Sequence, residues 1–144
     1  GMNIKGTDVE VLIKWLDRVE QGGTPLIFGD GKQTLDYIYI DDIVEANWRA
    51  LCSNIQRGEF NACTGKETSL LALLEKLLRA ASKDVRPEFK EARQVNHVEK
   101  RFGCPKSAES LLGFVAKKNL DEGLRDFVQW RGHELEHLAS VGHG

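Results

Sequence analysis

The sequence predicts an α/β fold: a small layered domain of about four to five short strands and about five helices. Three observations predict it. Segments with apolar residues at helical spacing alternate with short runs of β-branched and aromatic residues. Glycine-containing turn sequences separate these segments. The 144 residues, 41% hydrophobic and 29% charged, suffice for one unit with its own core.

Residues 8–21 place Val9, Leu12, Ile13, Leu16 and Val19 near helical spacing, with Asp8 as a cap and Gly22-Gly23 as the stop. Residues 26–28 form a short apolar strand. Gly29-Asp30-Gly31 has tight-turn chemistry, since glycine reaches positive φ at little steric cost, and it reads as a hairpin turn. A second strand is expected over residues 35–40. Asp41 and Asp42 then offer carboxylates to the start of a helix running to about Asn54, Asp42 and Glu45 having capping-box spacing. Ile43, Ala46, Asn47, Ala50 and Leu51 fall on one side of it.

Gln56-Arg57-Gly58 turns the chain into a strand over residues 59–63, and Thr64-Gly65-Lys66 turns it again. Leu70, Leu71, Leu73, Leu74, Leu77 and Leu78 predict a helix over 69–81, capped by Thr68 or Ser69. A short strand is expected over 86–90, whereas 91–103 is polar and ambiguous. Pro105 suits the first turn of a short helix through Leu112, which Gly113 stops. Asn119 and Glu122 cap a last helix with Leu120, Leu124, Phe127 and Val128 on its core face, Trp130 at its flank, and an extension past Gly132 to Leu138.

A net charge of −2 argues against a general nucleic-acid binder. No apolar run approaches the length of a membrane span, and no signal peptide is visible. Neither nucleic acid nor membrane is therefore expected as a partner. Cys52, Cys63 and Cys104 are odd in number and widely spaced, which fits reduced thiols in the cytoplasm. Gly1 before Met2 reads as a remnant of tag cleavage, leaving residues 2–144 as a single domain.

Several residue patterns invite chemistry. The lone G-x-G at Gly29 lacks the third glycine of a dinucleotide fingerprint, and a strand rather than a helix is expected after it. Tyr37 and Tyr39 are followed four residues on by Asp41 and Ile43, so neither forms the Tyr-Lys pair that lowers a phenol pKa. Packing is their expected role. His133-Glu-Leu-Glu-His137 matches H-E-x-x-H, with His143 at third-ligand spacing and Ser140 where the longer pattern has glycine. A solvated helix end is the default there, and metal binding a distant alternative. The stretch from Arg93 to Arg101 supplies guanidinium groups suited to phosphate oxygens, though such a run is ordinarily a solvated basic face.

The stretch Ile27-Phe-Gly-Asp-Gly-x-Gln-Thr-x-Asp-Tyr-x-Tyr-x-Asp-Asp42 resembles the substrate-domain signature of the extended short-chain dehydrogenases, the NAD-dependent nucleotide-sugar epimerases and dehydratases. Phe60-Asn-Ala-Cys-Thr-Gly, Lys106-Ser-Ala with Leu111-Leu-Gly-Phe114, and Asn119-Leu-Asp-Glu-Gly-Leu124 resemble later signatures of that family, in order. The resemblance implies a nucleotide-sugar pocket holding a ligand such as a UDP-sugar, with Phe28 and Gln33 on the nucleoside side and Arg93 and Asn96 as further contacts. Leu35 stands where the family frequently has Arg, which removes one phosphate contact.

The resemblance also implies that the glycine fingerprint and the catalytic Tyr-x-x-x-Lys belong to a half upstream of this chain. No catalytic, cofactor-binding or metal residue is then expected in it. NAD serves the parent family, and this chain is expected to be inert by itself. Apolar surface from Leu35 to about Ala50, covered by that half in the family, implies a homo-oligomer. The competing expectation is a non-catalytic binding or structural module that keeps the fold.

Overall fold

The leucine periodicity that predicts the central helix also builds the core. In a computed structural model, residues 11–92 and 99–141 are described. Helix α3 spans Leu70–Ala80 and buries Leu73, Leu74, Leu77 and Leu78 on one face. They pack with Trp15, Leu16 and Val19 of α1 (Val11–Glu20), Ile27 of β1 (Leu26–Phe28) and Leu124 of α5 (Leu120–Val141). Burying each such side chain contributes about 1.5–3 kcal/mol. A second, smaller core joins Ala46 of α2 (Ile40–Cys52) to Ala108 of α4 (Lys106–Leu112) and to Phe114.

Helix ends follow the expected chemistry in several places. Ser69 Oγ accepts from the Ala72 amide at 3.1 Å. Asn119 and Glu122 bond reciprocally, Asn119 Oδ1 accepting from the Glu122 amide at 2.9 Å and Glu122 Oε2 from the Asn119 amide at 3.3 Å. Gly113 stops α4 with φ 63°. The Arg131 side chain is buried on α5, where it reaches back to Glu20 and Asp17 of α1.

The sheets depart from the sequence expectation. Gly29-Asp30-Gly31 is not a hairpin turn. Strand β1 pairs in parallel with β4 (Glu88–Lys90), in register Leu26↔Glu88 and Phe28↔Lys90. Strand β2 is only Thr34–Leu35 and lies in a separate sheet of order β3-β2-β5, with β3 at Thr68–Ser69 and β5 at Lys100–Arg101. β2 is antiparallel to β3 and parallel to β5. Parallel pairing needs a long crossover, which turn chemistry cannot reveal. The β-forming residues after Leu35 pack rather than pair: Tyr37 meets the first core and Ile38 the second. Residues 59–63 form no strand, and Phe60 and Ala62 pack on the second core.

Asp42 corrects the capping expectation. The residue before α2 is Tyr39, with no side-chain cap. Asp42 is 6% exposed and its carboxylate accepts from the backbone amides of Lys117 at 3.0 Å and Lys118 at 3.1 Å. It therefore clamps α2 to the link between α4 and α5. Along the other side of α2, Leu51 is exposed rather than packed, as is Asn47. The expected cap Asp8 lies outside the described residues.

Replacing Asp42 with Ala should destabilise the chain by about 2 kcal/mol, because two amides lose a charged acceptor. Replacing the exposed neighbour Asp41 should cost less than about 0.5 kcal/mol. Urea denaturation of the two variants, with equal losses, would remove the clamp from the account.

Candidate ligand-binding site

The first turn of an α-helix carries backbone N–H groups with no partner inside the helix. In α3 two of them find acceptors in the glycine turn. Leu70 N donates to Gln33 O at 3.0 Å, and Leu71 N donates to Gly31 O at 3.1 Å. The turn thus seats on the start of α3 instead of closing a hairpin. Gly29 and Gly31 both have positive φ, 82° and 70°. A Cβ on Gly31 would lie 3.2 Å from Ile27 Cγ2 and 3.3 Å from Leu71 Cβ, whereas one on Gly29 would meet Ala92 Cβ at 3.7 Å.

Phe28 and Gln33 bracket this turn, both half-buried. Arg93 and Asn96 lie outside the described residues. The chain on either side of them is held beside the turn. Gly29 N donates to Lys90 O at 3.0 Å, and Thr34 N donates to Glu99 O at 2.9 Å. Lys90 and Glu99 are thus bonded to Gly29 and Thr34, on the two sides of the 30–33 stretch.

Asp36 supports the same region and was not singled out by sequence reading. Its carboxylate accepts from Thr64 N at 3.1 Å, Thr64 Oγ1 at 2.5 Å and Gly65 N at 2.8 Å. An Asp among β-forming residues, where Asp is disfavoured, was the available signal. Two surface grooves near the end of α2, one along Ala50 and Phe60 and one along Trp48 and Leu111, lie on other elements than this turn.

The remaining candidates take structural places. Tyr37 packs on the core, and the ammonium of Lys118 sits 4.2 Å from the Tyr39 ring centre. Lys118 also pairs with Asp126 of α5 and so holds that carboxyl below its ordinary range. His133 and His137 lie exposed on α5, and His143 falls outside the described residues. Among the described residues, no three His, Cys, Asp or Glu side chains are grouped to hold a metal ion. Cys52 and Cys104 are exposed and Cys63 is buried, all three as free thiols. Burial, first, and the nearby Asp36 carboxylate push the Cys63 thiol up.

The fold is that of the extended short-chain dehydrogenase class. Residues 1–63 match the model of the NAD dependent epimerase/dehydratase family. A UDP-glucose 4-epimerase of Mycolicibacterium smegmatis is 34% identical over 109 residues, 76% of this chain and 34% of that protein. The crystal structure of a UDP-glucose 4-epimerase with UDP-glucose from Thermotoga maritima superimposes with a TM-score of 0.80 at 31% identity, over 93% of this chain and 42% of that one. An epimerase of Methanothermobacter thermautotrophicus, at 18% identity, shares the fold with a TM-score of 0.84 over 94% of this chain and 40% of its own. The chain belongs to the NAD-dependent epimerase/dehydratase family, and it spans about two fifths or less of the length of these relatives.

The seating of the turn on α3 can be measured. Gly31→Ala combines strained φ with crowding and should cost about 2–3 kcal/mol, against about 1–2 kcal/mol for Gly29→Ala, where only φ is strained. Thermal unfolding that ranks the two variants in the opposite order would contradict the packing described.

Proposed function

We propose that this chain forms the substrate side of an NAD-dependent nucleotide-sugar epimerase or dehydratase. In this reading Phe28 and Gln33 face the nucleoside of a UDP-sugar, and Arg93 and Asn96 complete its contacts. The observation that supports it is that Lys90 O and Glu99 O accept from the Gly29 and Thr34 amides, on the two sides of the turn that carries Gln33. An arginine fork suits a phosphate because two parallel N–H groups meet two oxygens. The free Cys52, Cys63 and Cys104 fit a reducing compartment such as the cytoplasm. No described helix is long and apolar enough to cross a membrane.

Hydride transfer requires a nicotinamide, because no amino-acid side chain accepts hydride. The chain is accordingly assigned substrate binding without turnover of its own. Calorimetric titration with UDP-glucose should show binding that Arg93→Ala and Gln33→Ala each weaken by about tenfold. Incubation with NAD and UDP-glucose should give no epimerised sugar. Absence of binding would overturn the substrate assignment, and turnover would overturn the assignment of inertness.

Association of two copies belongs to the same proposal. Ile40, Val44, Trp48 and Leu51 recur at one face of α2 with exposures of 64%, 60%, 61% and 77%. Leu111, 59% exposed, lines a groove with Trp48, which extends the apolar surface onto α4. Such contiguous patches are normally covered. Light scattering should find a dimer that Trp48→Glu converts to monomer. Wild-type monomer at high concentration would overturn it.

A further inference from the structure

Two of the three cysteines come from distant segments that the fold lays side by side. Cys63 is buried and Cys104 is exposed, and neither belongs to a helix or a strand. Asn61 Nδ2 donates to Cys104 O at 3.4 Å. A Cβ on Gly103 would lie 2.6 Å from Cys63 Sγ and 3.0 Å from Cys63 Cβ, and one on Gly65 would lie 3.1 Å from Pro105 Cδ. Residues 61–65 thus run against residues 103–105. The Cys63 sulfur presses on Gly103, and Cys104 is the next residue along. Consecutive Cα atoms are about 3.8 Å apart, and a disulfide joins Cα atoms about 4.4–6.8 Å apart. A neighbour of the residue in contact therefore falls within the reach of such a bond. Cys52, on α2, lines the groove with Trp48 and Leu111 instead.

The two thiols differ in environment. Burial, and then the Asp36 carboxylate, hold Cys63 in its thiol form, and Cys104 is among the groups that act on it electrostatically. Cysteine reacts as the thiolate and where an oxidant can reach it. Cys63 is therefore a poor first target, and the exposed Cys104 is the accessible one.

We propose that Cys104 and Cys63 are a peroxide-responsive pair, in which Cys104 reacts first and Cys63 closes a reversible disulfide onto it. The Cys104 sulfur attacks one peroxide oxygen: an S–O bond forms, the O–O bond breaks, and hydroxide leaves with the thiol proton as water. The Cys63 sulfur then attacks the Cys104 sulfur: the S–S bond forms, the S–O bond breaks, and a second water leaves with the Cys63 proton. The two thiols lose two electrons and the peroxide gains them. The bond ties the 64–65 turn, which Asp36 already holds, to the entry of α4.

The test is peptide mapping of the whole chain. Dilute protein is treated with hydrogen peroxide, catalase removes the excess, and N-ethylmaleimide in denaturant caps the remaining thiols. Trypsin places Cys52, Cys63 and Cys104 in the separate peptides 50–57, 58–66 and 102–106. The expected product joins 58–66 to 102–106, is lost on adding dithiothreitol, and leaves 50–57 unlinked. Cys63→Ala should leave Cys104 as a sulfenic acid that dimedone traps. Cys104→Ser should abolish the linked product and return 58–66 as its maleimide adduct. It alters only an exposed side chain, so it decides the order of attack even where Cys63→Ala fails to fold. Dimedone-trapped Cys104 beside a free Cys63 in the wild-type chain would overturn the pairing. So would a bond to Cys52, oxidation of Cys63 undiminished in Cys104→Ser, or recovery of all three peptides fully capped.

Discussion

The start of α3 needs acceptors for its N–H groups, and the carbonyls of Gly31 and Gln33 provide them. Much of the candidate site is a consequence. With the turn seated there, β1 and β2 lie in different sheets. Phe28 and Gln33 are then held on the two sides of a short, tightly packed turn against Ile27 and Leu71. The same helix buries its leucines in the main core, so the turn is tied to the most buried element of the chain.

Carboxylates do the corresponding work for loops. Asp36 binds the 64–65 turn and Asp42 binds the 117–118 turn, in each case through backbone amides. A charged acceptor on a backbone N–H is stronger than a neutral one, which suits it to fixing segments that lack regular structure. In sequence Asp36 falls inside an expected strand and Asp42 reads as a cap residue. In the fold they connect parts of the chain far apart, 28 residues in one case and 75 in the other. The second core depends on the Asp42 connection, because Phe114 and Ala46 come from the two segments it joins.

Helix positions were legible because their signals are local: leucine spacing in α3, the reciprocal Asn119–Glu122 cap, and Gly113 at the end of α4. Strands were less so. Residues 35–40 and 59–63 have strand composition but place Tyr37, Ile38, Phe60 and Ala62 in cores instead. Of the site, Phe28, Gln33 and Asp36 lie in the motif that carries the resemblance, but the bonds from Asp36 to the 64–65 turn were not legible there.

The sequence by itself determined the α/β class, the helices with their stops, and membership of an enzyme family recognised by ordered motifs. Tertiary structure alone decided that β1 pairs with β4, that β5 lies beside β2, and that Asp42 faces a distant pair of amides. The reason is physical. Helical periodicity and caps act within a turn or two of the chain, whereas strand partners and buried carboxylate contacts are selected among distant segments by which arrangement satisfies every polar group while the apolar faces close.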